Sequence, residues 1–211
     1  MRIKALVVAV IAFAAFYALG VAVVRNGEPA IFLGWEHALD DRSALIAWWL
    51  TWSCYIDVLA PIAIILLIVA WLAPAWRGRI LFSIVMLLLC WRGADLFQHI
   101  FARPRRLDWF VKHESAFSYP SSHAAIATGF YALWGVMLYL SDLPSITRKV
   151  AAAALAIFAL VICWARLSLG AHYFTDLLGG GLLAVALVSA GVAVVPNVLR
   201  PLARRLSSAG E

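Results

Sequence analysis

Long apolar stretches separated by short polar clusters set the plan of this chain. Apolar residues run almost unbroken over about 5–24, 51–73, 80–99, 123–141, 149–165 and 177–196. Each run is close to the roughly 20 residues that carry a helix across a hydrocarbon layer ~30 Å thick. In lipid the backbone amides find no partners except one another, so such runs predict spanning helices rather than strands. The expected fold is all-α: a polytopic membrane protein of six transmembrane helices, one domain over residues 1–211. Residues 35–50 place Trp35, Trp48 and Trp49 around the polar cluster Glu36 to Arg42 and predict an interfacial stretch leading into the second span. Met1-Arg2-Ile3-Lys4 opens a run too long for a signal core and without a clear cleavage site, so the first run reads as a retained span.

Composition agrees with a lipid solvent. The chain is 65% apolar and 13% charged, whereas a soluble domain is about half apolar and a quarter charged. The formal charge of +6 does not point to nucleic acid, because the basic residues stand at the ends of apolar runs instead of striping a soluble face. Arg2 and Lys4, Arg77 and Arg79, Arg148 and Lys149, and Arg200, Arg204 and Arg205 fall on one side, which the positive-inside bias makes the cytoplasm, with both termini there. Segments 25–50, 100–122 and 166–176 then lie outside. The second of these carries Arg103, Arg105, Arg106 and Lys112 against the trend, which calls for an anionic ligand. Cys54, Cys90 and Cys163 lie within apolar runs and read as small core residues. Asp57, Arg92 and Asp95 fall at membrane depth, where pairing of Arg92 with Asp57 or Asp95 would lower their cost.

Three polar clusters interrupt the apolar pattern, and the topology brings all three to the outer face. They read QHIFARPRR over 98–106, YPSSH over 119–123 and ARLSLGAHYFTD over 165–176. Arginine offers a planar fork of donors that matches phosphate oxygens, and Ser121, Ser122 and the amides that open the fourth span can bind the remaining oxygens. His172 and Asp176 stand four residues apart, so on a helix they share a face and the carboxylate can hold the ring in one tautomer. The other ring nitrogen would be free to attack phosphorus, with His123 from a different span as the second acid–base group. Positioning and charge neutralisation are the main demands of phosphoryl transfer, and this set meets them with no cofactor and no metal.

Residues 98–176 resemble the type 2 phosphatidic acid phosphatase (PAP2) superfamily, whose motifs are K-x6-RP, PSGH and SR-x5-H-x3-D. Arg166, His172 and Asp176 match the third motif, Pro120-Ser121-Ser122-His123 the second with Ser for Gly, and Gln98-x6-Arg105 the spacing of the first. The resemblance implies that His172 forms a phosphohistidine, that Asp176 orients it and that His123 protonates the leaving group. It further implies that Arg105, Arg166, Ser121, the Ser122 amide and Gln98 hold the phosphate. Gln98 stands where the family has Lys, Arg106 where it has Pro and Ala165 where it has Ser. The lost lysine removes one positive charge, with Arg103 and Arg106 as the nearby cations that would replace it. The implied activity is hydrolysis of a phosphate or diphosphate ester on a membrane lipid at the periplasmic face of a bacterial inner membrane. An isoprenoid diphosphate, phosphatidylglycerophosphate, phosphatidic acid and lipid A all fit. A phosphotransferase using the same intermediate, and a lipid-binding protein with weakened catalysis, are the alternatives.

Overall fold

The computed structural model describes residues 2–33, 41–105 and 117–199. Among them there is no strand. The chain runs through α1 (Arg2–Asn26), a short α2 (Ala30–Leu33), α3 (Asp41–Thr51), α4 (Ile56–Leu72) and α5 (Pro74–Phe101). It continues through α6 (Ser122–Ile126), a π-helical turn (Ala127–Ala132), α7 (Leu133–Tyr139), α8 (Ser145–Ser168) and α9 (Phe174–Val194). Trp35, Arg106, Trp109, Lys112, Arg200, Arg204 and Arg205 lie outside the described residues.

The helix ends follow local chemistry. Pro74 opens α5, where its missing N–H costs nothing and its fixed φ suits the first turn. The Asp176 carboxylate accepts from the Tyr173 amide at 3.0 Å and so starts α9 three residues ahead of the apolar run. Four helices, α1, α5, α8 and α9, are long and apolar enough to cross a membrane, and a fifth crossing is available if α3 and α4, bent by 44° where they join, make one span. The expected fourth span, 123–141, is helical over 122–139 but is divided by the π-helical turn. The count of six is therefore not established, while the multi-pass membrane character is. Large apolar side chains such as Ile11, Ile65, Trp71, Val150 and Leu160 face outward, as a lipid solvent permits. Arg92 settles on Asp95 at 3.9 Å, one helical turn away on an exposed face. All three cysteines are free thiols; Cys54 and Cys90 are buried.

The elements converge at one end of the bundle, where α1, α5 and α8 finish and α6 and α9 begin. Phe16 of α1, Phe101 of α5 and Tyr119 pack as an aromatic cluster, with Phe16 and Tyr119 stacked at 5.7 Å and Phe101 edge-on to Tyr119 at 5.1 Å. The Tyr119 hydroxyl donates to the Phe16 carbonyl at 2.6 Å, so the segment leading into α6 is pinned to α1. Between lipid-bathed helices the drive is close packing and not exclusion of water, which puts small residues at the contacts. Gly180 is the clearest case: a Cβ there would collide with the Ser121 carbonyl oxygen and crowd Ala124. At Gly181 the nearest atom to an added Cβ is Thr128 Oγ1 at 3.8 Å, an ordinary contact.

These two glycines give a paired expectation. Gly180→Ala should destabilise the protein by about 1–3 kcal/mol through overpacking and displace the Ser121 turn. Gly181→Ala should be neutral or stabilising by up to about 1 kcal/mol, from helix propensity alone. Thermal unfolding midpoints in one detergent decide it, and equal midpoints for the two variants would remove the close-packing argument.

Candidate active site

The end of α8 is built by a glycine. Gly170 has φ +69°, in the left-handed region that only glycine enters cheaply. Its amide donates to Leu167 O at 3.0 Å and the Ala171 amide to Arg166 O at 3.1 Å, the pair of bonds that closes a Schellman motif. The chain reverses there and delivers Ala171 and His172 beside the last turn of α8, which carries Arg166. Ala171 packs with Ala165 and Leu169 against Ala44 and Ala47 of α3, so the turn is clamped from outside.

His172 is fully buried. Its Nδ1 lies 3.0 Å from the Ser118 carbonyl oxygen and 3.4 Å from Asp176 Oδ2. A carbonyl oxygen only accepts, so Nδ1 carries the hydrogen and Nε2 carries the lone pair. That Nε2 faces Arg105 Nη1 at 3.4 Å, and the same Nη1 donates to Ala171 O at 3.0 Å. Burial, and then the positive charge of Arg105, push the His172 pKa down from 6.5 to about 4, with Asp176 and Arg166 opposing and assisting in smaller measure. The ring is therefore neutral at physiological pH, in the tautomer that leaves Nε2 nucleophilic.

Asp176 is equally buried and does more than face the histidine. Its Oδ1 accepts from Arg103 Nη1 at 2.5 Å, its Oδ2 from the Tyr173 amide, and its backbone carbonyl from the Ser121 amide at 3.0 Å. Arg103 also donates to Thr175 Oγ1 at 2.9 Å and to Glu28 Oε2 at 3.0 Å, and its guanidinium lies 4.1 Å from the centre of the Tyr173 ring. Ala102 makes this possible: it caps α5 with φ +48°, costly for a residue with a Cβ, and turns the chain so that Arg103 reaches α9 and Arg105 the turn before it.

The 118–123 segment completes the site. The Ser118 amide donates to Arg103 O at 2.9 Å and its hydroxyl to Pro104 O at 3.1 Å, which ties it to the arginine segment. Gln98, buried, donates from Nε2 to Pro120 O at 2.9 Å. Ser121 Oγ caps α6 by accepting from the Ala124 amide at 3.4 Å. His123 is buried, edge-on to Tyr55 at 5.1 Å between ring centres. Beside it opens a cavity of about 200 Å³ lined by Cys54, Tyr55, Ile56, Leu59, Trp91, Ser122, His123 and Ile126. The lining is mostly apolar, with the imidazole and the Ser122 hydroxyl as its polar corner.

The residues singled out from sequence thus gather at one end of the bundle: Arg105 and Asp176 on His172, Arg166 at the adjoining helix end, Ser121 joined to Asp176, and His123 on the neighbouring cavity. Two of these residues have partners that the sequence did not indicate: Gln98 donates to the Pro120 carbonyl, and Arg103, one of the two cations expected to replace the missing lysine, is held by two carboxylates. Arg106, the other, lies outside the described residues. Sequence reasoning missed Ser118, whose contribution is a backbone carbonyl that leaves no side-chain signature. It also missed Glu28, which sits far from the motifs in an unremarkable Gly-Glu-Pro turn after α1.

A PAP2 superfamily family model matches residues 79–200. The chain also resembles the crystal structure of a transmembrane PAP2-type phosphatidylglycerolphosphate phosphatase from Bacillus subtilis, with a TM-score of 0.73 at 22% identity over 90% of this chain and 96% of that one. A comparison with curated proteins finds no match. The matched region holds all of α5 to α9 beyond the first turn of α5 and every motif residue of the site, and on that footing the chain belongs to the PAP2 superfamily.

Proposed function

We propose that this chain hydrolyses a phosphate or diphosphate ester on a membrane lipid through a phosphohistidine at His172. That it is a lipid phosphatase follows from its family; the route and the residues are our reading. The observation that carries it is the tautomer of His172. With Nδ1–H committed to the Ser118 carbonyl and Asp176, a neutral ring presents the Nε2 lone pair beside Arg105.

In the first step Nε2 forms a bond to phosphorus as the bond from phosphorus to the lipid oxygen breaks. His123 gives that oxygen its proton. Arg105 and Arg166, with Ser121 and the Ser122 amide, carry the charge on the non-bridging oxygens, and Gln98 supports the loop that presents them. In the second step water attacks phosphorus, His123 takes its proton back, and inorganic phosphate leaves with His172 restored. The arginines supply the positive charge that a metal ion supplies elsewhere. The mostly apolar cavity beside His123 supports a lipid leaving group, since it offers one acid and little else that is polar. On the charge bias of the short loops the site faces the periplasm of a bacterial inner membrane, with both termini cytoplasmic. The substrate belongs to the set of isoprenoid diphosphate, phosphatidylglycerophosphate, phosphatidic acid and lipid A, and phosphate release from a panel of these with EDTA present selects among them. Phosphatidylglycerophosphate has the added support of the similar Bacillus subtilis enzyme.

Orientation is tested with single cysteines at Asn26 and Ser145, in a background lacking the native cysteines. An impermeant thiol reagent applied to intact cells should label Asn26→Cys and spare Ser145→Cys, and the reverse pattern would invert the topology.

The resting state of His172 is open to direct measurement. In histidine-labelled protein, the resonances missing from a His172→Ala spectrum should stay at their neutral-imidazole positions from pH 8 down to about 5. A midpoint near the ordinary value of about 6.5 would mean that burial does not hold the ring neutral.

The two histidines should separate by substrate. His172→Ala removes the nucleophile and should abolish turnover of every substrate. His123→Ala should slow a lipid monophosphate by about 100-fold or more, and a matched lipid diphosphate less, because a departing phosphate needs less protonation than an alkoxide. Substantial turnover by His172→Ala, or equal slowing of both substrates by His123→Ala, would overturn the assigned roles.

A further inference from the structure

Outside the reacting groups stands Glu28, which belongs to no motif and takes no part in the two chemical steps. Its side chain is 2% exposed, although it comes from the short connection between α1 and α2. It accepts the Thr175 amide at 3.2 Å on Oε1 and the Thr175 hydroxyl on Oε2, so it holds the first turn of α9 from outside. Its Oε2 also receives Arg103 Nη2 at 3.0 Å, while Arg103 Nη1 is on Asp176. Arg103 and Asp176 are 4% and 0% exposed, so three charges are withdrawn from solvent in one carboxylate–guanidinium–carboxylate row.

Such a row is a poor way to gain stability, because desolvating the ions costs about as much as their attraction returns. It is a good way to fix a carboxylate. The guanidinium fork is engaged on both arms and covered on one face by Tyr173, so neither Arg103 nor the Asp176 oxygens can rotate independently. Arg103 is also only two residues from Arg105, and an unpaired arginine there would be drawn to the phosphate in place of Asp176. Glu28 removes that option by supplying a second fixed anion.

We infer that Glu28 and Arg103 are positioning residues for the nucleophile: they hold Asp176 where it orients the His172 ring, and Arg103 screens the carboxylate so that it orients the ring without drawing a proton onto it. The inference rests on the phosphohistidine reading. The charges that face this pair come from every neighbouring element: Arg105 from the segment after α5 and Arg166 from α8 on His172, and Arg103 from that segment and Glu28 from the α1–α2 connection on the Asp176 side. Tyr119 packs against α9 one turn below.

The experiment uses the full chain in detergent and has two arms. In the first, Glu28→Gln/Arg103→Gln removes the screening pair without changing net charge, and the His172 resonances are followed with pH. The midpoint should rise by about one unit or more, because an unscreened Asp176 favours the protonated ring. A folded double variant with the wild-type midpoint would overturn the inference. In the second arm, Arg103→Lys keeps the buried charge but cannot bridge both carboxylates and Thr175. On a lipid monophosphate its kcat should fall about 10- to 100-fold, the scale of a misplaced reacting group, with KM within about threefold. Arg105→Lys, which touches the phosphate itself, should raise KM as well as lower kcat. Wild-type kcat in Arg103→Lys, or a rise in KM with kcat unchanged, would mean that Arg103 only stabilises the fold or only binds substrate. His172→Ala keeps the two readings apart. Activity in that variant sinks the phosphohistidine reading, whereas an inactive His172→Ala beside a fully active Arg103→Lys sinks only the role of Glu28 and Arg103.

Discussion

A carboxylate without exposure to solvent at the start of an apolar helix is the constraint around which this end of the molecule is organised. Asp176 has to be charged if it is to orient a neutral imidazole, and a charge so placed is tolerable only when each oxygen is occupied. One oxygen takes Arg103, the other takes the Tyr173 amide and faces His172, and the residue's own carbonyl receives Ser121. That single residue therefore draws the arginine segment after α5 and the turn before α9 together through its carboxylate, and the entrance to α6 through its backbone carbonyl. Catalytic geometry and burial of a charge are met here by the same hydrogen bonds.

The apolar part of the bundle makes this convergence permanent. Because lipid tails compete equally for apolar surface, helices hold together where their backbones approach closely, and α9 offers that approach at Gly180 against the Ser121 turn. Tyr119 then spans from α1 to α9, with its hydroxyl on Phe16 O and its ring against Gly179. The Ser118 carbonyl that fixes the His172 tautomer is one residue away from this aromatic anchor. The fixed position of the His172 ring is thus inherited from helix packing and not from the loop in which it sits.

The spans and the site were legible from sequence to different depths and for different reasons. Apolar periodicity marked all the long helices because burial in lipid constrains every residue of a run, as 5–24 within α1 and 80–99 within α5 show. It could not foresee the bend between α3 and α4 or the π-helical turn at 127–132, which depend on what packs alongside. Side-chain chemistry marked His172, Asp176, His123, Arg105 and Arg166 because their types and spacing match motifs. Ser118 acts through a backbone atom, and Glu28 through a contact 147 residues away in the chain, so neither had a local signature.

The arginine segment shows most clearly why residue type alone was insufficient. In Arg103-Pro104-Arg105 both cations are equally suited to phosphate on chemical grounds, and spacing favoured Arg105 without giving Arg103 any other task. The structure divides them by neighbours: two carboxylates hold Arg103, whereas Arg105 donates to the Ala171 carbonyl and faces the His172 ring. Gln98, in the place of a lysine, brings no charge at all. On the proposed reading, Arg105 and Arg166 are the motif cations that meet the phosphate. Two such charges balance the charge of about −2 on a phosphate monoester near neutral pH. On that reading a neutral Gln98 and an Arg103 held by two carboxylates still leave the site with charge matched to its substrate.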